Sequence, residues 1–201
     1  MAKSGPKPGV SRGEDPSQRL IAATITVLAR DGFVHASARS IAEEAGVANG
    51  LIFYHFTSMT GLLTATAHDL ADRGIERIKA GLGGAESHRA WSEHLADVLR
   101  RESNSQDMRA VLELIVGAHS SPELQGAVSD VIGRALDFAA QELDPVVEGA
   151  GLSAVLPTDL TAQTLGATFL GLVILLASGQ QIDLDRLAQM ASLVLPATHQ
   201  E

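Results

Sequence analysis

The chain lacks cysteine altogether, and aromatic side chains make up only 3% of its 201 residues. Without cysteine it cannot form a disulfide, a thiolate metal site or a cysteine nucleophile, and it is compatible with a reducing compartment. No apolar run follows the basic N-terminus, so we expect no secretory signal and a cytoplasmic protein. Because 45% of the residues are hydrophobic, the chain can bury a sizeable core, divided between a small and a larger domain.

Motifs of catalytic sites are also missing. The seven histidines show no H-x-x-x-H or H-E-x-x-H spacing, and no serine nucleophile is predicted at a strand-to-helix elbow. The glycines around 81 to 84 follow a predicted helix rather than a strand, which argues against a phosphate-binding loop. The sequence therefore disfavours an enzyme, the main alternative class, and predicts neither a cofactor nor a metal site.

The most informative segment is residues 37 to 56, SARSIAEEAGVANGLIFYHF, which predicts two short helices around a glycine turn. Ser37 is suited to cap the first helix, and Gly46 can end it in the left-handed conformation. A second helix should begin at about Ala48. In a helix-turn-helix pair the second helix lies in the major groove of DNA.

A preceding helix completes a small domain. Asp15 and Pro16 form a strong start signal, because the carboxylate can cap the helix and proline lacks only an N–H that would be unpaired there. Gly32 should end this helix after Asp31, and Phe33 should pack back against it.

With A-R-D-G-F, I-A-E-E-A-G-V and Y-H-F in this order, residues 18 to 63 resemble the DNA-binding domain of the TetR family of bacterial transcriptional regulators. The resemblance implies a homodimeric, all-α repressor whose larger C-terminal helical domain binds a small-molecule effector and thereby releases operator DNA. We accordingly expect a basic arm at 1–14, a three-helix DNA-binding domain at 15–58 and an effector-binding and dimerisation domain at 59–201. The matching positions are Leu20, Ile21, Ala22, Ala23, 28 to 33, 41 to 47, Gly50, Ile52, His55, Phe56, Leu62 and Leu63.

Several positions depart from the family pattern. The family usually has Ser, Lys and Thr at the start of the recognition helix, a phosphate-contacting Tyr within it and Lys at the start of the fourth helix. Lost phosphate contacts remove salt-dependent affinity, so a second hypothesis is a ligand-binding dimer whose DNA-binding domain has lost function. The replacing residues are Ala48, Asn49, Leu51, Phe53 and Met59.

The candidate DNA-contacting residues lie on the recognition helix and just before it. Arg39 and Ser40 are expected to reach the DNA backbone or nearby bases. For His55 an alternative is that it caps neighbouring backbone. On the recognition helix the candidates are Asn49, Gly50, Leu51, Tyr54 and His55.

The N-terminal arm and the charge distribution fit this division. Lys3, Lys7 and Arg12 stand among prolines and glycines without an acid, so the arm either enters a minor groove or is only a solubilising tail. Up to residue 58 the chain has six cations and five acids, whereas the whole chain carries a net charge of -9. The remainder therefore carries -10 and should repel DNA.

The pattern beyond Ser58 stays helical. Ser58 should cap a long helix to about 81, and further helices are expected at roughly 86 to 102 and 106 to 118. Pro122 should open the next helix, which weakens at Pro145, and the last two should begin near Thr158 and Asp183.

An uncharged stretch from 160 to 182 raises the alternative of a membrane helix, but its unbroken apolar part is only about thirteen residues, short of the roughly twenty needed to span. A helix that is apolar all round can instead be buried between its own domain and a partner chain. We therefore expect no membrane segment and a homodimer on a palindromic operator, with the interface residues Leu165, Phe169, Leu172, Leu176, Leu187, Met190 and Leu193.

The effector pocket is predicted only in outline. Helices from about 60 to 178 should enclose an apolar cavity, the usual kind of small-ligand site. Each candidate is also suited to ordinary core packing, and His119 beside Ser120 could cap a helix end. The candidates are Trp91, Met108, Leu112, His119, Phe138 and Phe169.

Overall fold

A computed structural model describes residues 15–82, 88–149, 151, 155 and 157–187. For residues 88, 89, 91–93, 95 and 146 it describes the backbone but not the side chain. Within these ranges the chain is all-α and contains no strand, which confirms the predicted fold class. Two short 3-10 turns lie at Phe33–His35 and Ala118–Ser120. The helices are α1 (Pro16–Asp31), α2 (Ala38–Ala45), α3 (Gly50–Phe56), α4 (Met59–Leu82), α5 (His88–Ser103), α6 (Gln106–Gly117), α7 (Pro122–Gly149) and α8 (Thr158–Ala177).

Helix α1 begins and ends as its sequence signals indicate. The Asp15 carboxylate accepts a hydrogen bond from the Ser17 backbone N–H at 3.1 Å, and Pro16 takes the first helical position. Gly32 ends the helix at φ +82°, a conformation that residues with a Cβ rarely adopt. The inward face of α1, including the fully buried Leu20 and Leu28, forms the centre of the helix-turn-helix core.

The turn between α2 and α3 has the predicted geometry. Ser37 caps α2 through the Ser40 backbone N–H at 3.1 Å, and Gly46 closes the helix in the left-handed conformation at φ 64°, ψ 38°. Helix α3 begins at Gly50, two residues later than expected, because the residues before it form the turn. Ile52 is completely buried and fixes α3 on the core.

Helix α4 joins the two parts of the molecule. Its cap is Ser58, whose hydroxyl oxygen accepts a hydrogen bond from the Gly61 N–H at 2.9 Å, as expected. Leu62 and Leu70 are buried in the same hydrophobic cluster as the core of α1, and Leu114 of α6 and Leu124 of α7 belong to it too. The core therefore runs without a break across the boundary predicted at residue 58.

Helix α7 corrects one expectation. It starts at Pro122 as predicted, but it continues through Pro145 to Gly149 instead of weakening there. Proline has no backbone N–H, so Pro145 cannot donate the helical hydrogen bond to the carbonyl oxygen four residues earlier. The chain nevertheless stays helical to Gly149.

Helix α8 has an inward and an outward side. Phe169, Leu172 and Leu176 pack against the chain's own cluster of Ala96, Leu99 and Leu184, so they lie largely on the inward side and not on the free surface expected for them. Their placement follows from the contact of α8 with both α5 and α7. Leu160, Ile174 and Leu175 lie on the outward side and are between 47% and 57% exposed, whereas Leu165, which is 38% exposed, shares the helical stripe of Phe169, Leu172 and Leu176.

Because α8 is long and apolar on its outward side as well, it meets the length and hydropathy criterion for a membrane-spanning helix. Among the described residues, α8 is the one helix long and apolar enough to cross a membrane, with a mean hydropathy of 1.8 over its best 18-residue window. Only 11% of that window is buried within the chain. So large an exposed apolar surface on a helix is typical of a site of interaction.

Candidate nucleic-acid interface

The outer face of α3 is formed by aromatic side chains. Tyr54 is 81% exposed and Phe53 50% exposed, although both neighbour the completely buried Ile52. The ring of His55 meets that of Tyr54 edge to face, with ring centroids 5.0 Å apart. Because α3 is anchored through Ile52, these exposed side chains project from a fixed base.

At the start of α3, a polar side chain and an exposed stretch of backbone are accessible to a partner. The Asn49 side chain makes no capping hydrogen bond, so its amide remains available to a partner. Gly50 is exposed, and a Cβ placed on it would meet nothing within 4 Å. Leu51 differs from the expectation for a contact residue, because it is half-buried and packs against the core.

Phe53 was not among the candidates predicted to contact DNA. It lies four residues after Asn49, so the two share one side of the helix. Its exposure could have been anticipated, since α3 has more apolar residues than one narrow buried stripe can hold.

Within the described part of the chain, the His55 side chain makes contacts with the rings of Tyr54 and Phe56. It donates or accepts no hydrogen bond there, so the alternative role of a backbone cap is not seen. His55 lies close enough to Asp15 to contribute, after the two hydrogen bonds from Ser17, to the lowered pKa of that carboxyl.

Arg39 and Ser40 on α2 are placed differently from each other. The Arg39 side chain is exposed, and its Nε donates to Glu43 Oε1 at 3.0 Å in a surface ion pair that a phosphate could replace at little cost. The Ser40 hydroxyl donates to the carbonyl oxygens of His35 and Ser37 and accepts from the Ser37 N–H at 3.0 Å. Ser40 thus serves the cap of α2, which corrects its expected placement toward DNA.

Arg19 is a positioning residue that the sequence did not reveal. Its Nη2 donates to the carbonyl oxygens of Ala45 at 2.5 Å and Gly46 at 3.3 Å, and so ties α1 to the end of α2. The bond joins residues 26 positions apart. No local sequence signal indicates such a contact.

The predicted effector residues are not brought together around either of two clefts between the C-terminal helices. The larger cleft, of about 410 Å³, lies between α4, α5 and the start of α6, and is lined by Arg77, Ala80, Gly81, Val98, Arg101, Glu102 and Ser105. The second, of about 260 Å³, lies between α5 and the segment after α8. Met108, Leu112, Phe138 and Phe169 are half-buried packing residues, and His119 is exposed.

An ion-pair network stands at the larger cleft. Arg77 binds the buried Glu102 through two hydrogen bonds of 3.0 Å, from Nε and from Nη2, and its Nη1 donates to Asp107 at 2.8 Å. These bonds raise the pKa of Arg77, chiefly through Glu102. The network links α4, α5 and α6.

The helix-turn-helix segment has a clear match among known proteins. The sequence pattern of the bacterial regulatory proteins of the tetR family matches residues 20–66, which contain most of α1, all of α2 and α3, and the start of α4. Residues 20–66 thus form a DNA-binding segment of the TetR type.

Relatives of this chain are regulators. An uncharacterised HTH-type transcriptional regulator of Mycobacterium tuberculosis is 28% identical over 123 residues, which cover 61% of this chain and 63% of that protein. A nicotine-responsive HTH-type transcriptional repressor of Paenarthrobacter nicotinovorans is 30% identical over 103 residues, covering 51% and 53% of the two chains. The matched region thus spans less than two thirds of these relatives' length.

Solved structures share the fold over most of the chain. A TetR-family regulator from Rhodococcus is 22% identical with a TM-score of 0.76, and the likeness covers 90% of this chain and 99% of that one. The regulator FadR from Bacillus subtilis, solved with stearoyl-CoA, is 19% identical with a TM-score of 0.70, and covers 89% and 96%. At such identities the likeness establishes the fold alone.

Some predicted site residues lie outside the described residues. These are Lys3, Lys7 and Arg12 of the basic arm, and Met190 and Leu193 of the last helix. The side chain of Trp91 is likewise not described. Their expected roles stay predictions.

Proposed function

We propose that this protein is a cytoplasmic, dimeric transcriptional repressor without enzymatic activity that binds a palindromic operator through α3 and is released by a small-molecule effector. The observation that carries the proposal is the exposed face of α3, where Tyr54 and Phe53 project from a helix anchored by the buried Ile52. An exposed aromatic ridge on a rigid helix has the shape needed to enter a major groove.

The chemistry of that face suits base recognition. Asn49 offers an amide that can donate to and accept from an adenine edge, and the Tyr54 hydroxyl can do either. Phe53 presents an apolar surface of the kind that contacts a thymine methyl group. Arg39 can exchange its surface partner Glu43 for a phosphate oxygen.

A second copy of the chain is the proposed cover for the outward side of α8. Three large apolar residues there, Leu160, Ile174 and Leu175, are between 47% and 57% exposed, and Leu165 at the edge of this side is 38% exposed. A twofold interface on this surface would present two α3 helices to major grooves about 34 Å apart, or a multiple of that distance. The half-sites of the operator should then be inverted repeats.

Release by an effector requires that the effector bind the state with the wrong spacing of the two α3 helices more tightly. Support comes from the relative described as nicotine-responsive and from the FadR structure with stearoyl-CoA. We propose that the effector binds in the C-terminal helical region, where the 410 Å³ cleft at Arg77 and Glu102 is the larger of the two candidate clefts.

The test is selection of duplexes from a randomised DNA pool by the full-length protein, followed by binding measurements over a range of salt concentrations. The wild-type chain should enrich an inverted repeat. Tyr54→Ala should weaken binding to that duplex by about 1 to 3 kcal/mol and leave binding to random DNA unchanged. Gln125→Ala, an exposed position on α7, is the control that should bind like the wild type.

Tyr54→Phe refines the result, because it keeps the ring and removes only the hydroxyl. Equal loss on selected and random DNA would show that Tyr54 contacts the phosphate backbone only. If the wild-type chain enriches no inverted repeat, even at low salt, the proposed function is wrong.

The second candidate is a ligand-binding dimer without DNA binding. It rested on Leu51, Phe53 and Met59, but Leu51 and Met59 pack against the core of the helix-turn-helix. Those two departures therefore serve packing. Failure to enrich any duplex, together with a stable dimer in solution, would favour this candidate.

A further inference from the structure

The joint between the helix-turn-helix and the C-terminal helices contains an unusually close aromatic contact. The ring of Phe33, in the 3-10 turn after α1, lies directly on Gly117, the last residue of α6. A Cβ on Gly117 would lie 2.1 Å from Phe33 Cε2 and 2.2 Å from Cδ2. Because carbon atoms in van der Waals contact stay roughly 3.5 Å apart, only glycine leaves room for the ring.

A hydrogen bond fixes the same turn from one helical turn earlier on α6. Glu113 Oε2 accepts from the Phe33 backbone N–H at 2.7 Å in a partly buried position. The carboxylate also lies 3.3 Å from the point that a Cβ on Gly32 would occupy. Gly32 therefore serves twice, since it adopts φ +82° and leaves space for Glu113.

The other end of α6 is attached to α1 as well. Gln106 Nε2 donates to Thr26 Oγ1 at 3.0 Å. Positions 106, 113 and 117 recur at helical spacing, so the three contacts share one side of α6. The buried Ala110 and Leu114 on the same helix belong to the core that α1 also enters.

We propose that Glu113 and Gly117 are positioning residues for operator recognition, which seat Phe33 and so set the angle of the helix-turn-helix on α6. This inference rests on the proposed function, because the angle matters through the distance between the two α3 helices of a dimer. A close-packed seat admits few alternative positions, so a small added group moves the whole helix-turn-helix.

The first experiment adds one methyl group. Gly117→Ala should displace Phe33, because its Cβ cannot coexist with the ring. The matched controls are Gly126→Ala and Gly133→Ala on α7, where an added Cβ meets no atom within 4 Å. Phe33→Leu combined with Gly117→Ala should restore the fit, because leucine is smaller than the displaced ring.

The displacement of the helix-turn-helix can be measured without DNA. Because the chain has no cysteine, one introduced cysteine is the only site that a thiol-reactive label can modify. Ala22→Cys places a single spin label on the exposed side of α1, and pulsed electron resonance then measures the distance between the two labels of a dimer. Gly117→Ala should shift this distance, both controls should leave it unchanged, and the double variant should return it toward the wild-type value.

The second measurement is the affinity for the duplex that the wild-type chain selects. Versions with one or two base pairs added or removed between the half-sites should bind the wild type less well. Gly117→Ala should lose at least tenfold affinity for the original duplex and prefer another spacing, whereas the controls keep the original preference.

These outcomes separate the two proposals. An interlabel distance and spacing preference of Gly117→Ala equal to those of Gly126→Ala would overturn the positioning role. If no duplex is enriched, the proposed function fails, yet the label distance still decides whether Gly117 sets the position of the helix-turn-helix. Should Gly117→Ala not fold by circular dichroism, Glu113→Ala takes its place, and an unchanged distance distribution there would overturn the inference.

Discussion

At the scale of single residues, Thr57 stands out at the end of α3. It has φ +67°, and the Ser58 N–H donates to the Phe56 carbonyl at 2.7 Å around it, which makes a strained γ-turn with a β-branched residue at its centre. Such a conformation is rare for a residue with a branched Cβ. The turn sets the direction in which the chain leaves the DNA-reading helix and enters α4.

Relieving this strain should stabilise the protein. Thr57→Gly is expected to raise the free energy of unfolding by about 1 kcal/mol, because glycine adopts positive φ without a steric penalty. Urea unfolding followed by circular dichroism measures the change. Thr164 is an exposed residue within α8. Thr164→Gly should instead lower the free energy of unfolding, because glycine is unfavourable inside a helix. A stability loss for Thr57→Gly would show that the turn is not strained.

Asp15 makes the start of α1 sensitive to acid. Hydrogen bonds from the Ser17 hydroxyl and N–H lower the pKa of its carboxyl below the ordinary value. Since the folded-state pKa is the lower one, the carboxylate contributes fully above the unfolded-state pKa of about 4 and loses its contribution as the pH falls through the folded-state value.

Asp15→Ala tests this dependence. The melting temperature of the wild type should exceed that of the variant by a constant amount from neutral pH down to about 5, and the difference should shrink below about 4. A difference that stays constant through this acid range would mean that Asp15 does not act through its charge.

Single-residue signals explain much of what the sequence could predict. Asp15, Ser37 and Gly46 act as caps or stops because their roles depend on residues only a few positions away. The Ser40 hydroxyl was misjudged for the same reason, since its capping bonds to Ser37 and His35 compete with any outward role. Arg19 could not be recognised, because its partners are 26 and 27 positions away.

At the scale of elements, the Arg77 network ties three helices together. Arg77 is 39% exposed, whereas Glu102 is buried, so the solvent screens one partner only in part. Removing Arg77 leaves the Glu102 carboxylate buried without its two strongest donors.

Arg77→Ala is expected to lower the free energy of unfolding by about 2 kcal/mol, less than for a fully buried pair because of its exposure. Arg73→Ala on the same helix, which breaks mainly an i,i+4 pair with Asp69, should cost at most about 0.5 kcal/mol. The double variant Arg77→Ala/Glu102→Leu should recover most of the loss. Equal effects of the two arginine variants would contradict a special role for Glu102.

The helical periodicity of the sequence predicted the order of the helices well, but it did not predict the contacts between them. The exposed Phe53 and the buried Ile52 follow from the excess of apolar residues in α3. The seat of Phe33 on Gly117 and the bond to Glu113 join residues about eighty positions apart, and no spacing rule reaches so far. Among the effector candidates, Met108, Leu112, His119, Phe138 and Phe169 line neither cleft, because helical periodicity identifies the half-buried faces but not which of them share a cavity.

At the scale of the whole molecule, α8 is the proposed surface through which two chains associate. Leu165 and Ile174 are two of its exposed apolar residues. Leu165→Glu and Ile174→Glu should each convert the dimer to a monomer in sedimentation at micromolar concentration, because a carboxylate would be buried without a partner. Val116→Glu replaces another exposed apolar residue, on α6, and should leave the dimer intact.

A wild-type monomer at the same concentration would contradict the dimer, and so would a variant at Leu165 that still sediments as one. Association with lipid vesicles by the wild-type chain, lost in the same variants, would point instead to a membrane as the cover of α8.

The central claim is that two copies of α3 read one symmetric duplex. Selection from a randomised DNA pool by the full-length chain, with the stoichiometry of the resulting complex measured in solution, tests it most directly. The account predicts an inverted repeat bound by two chains, with specific affinity that depends on Tyr54. Enrichment of no repeat at low salt, or specific binding unchanged by Tyr54→Ala, would contradict it.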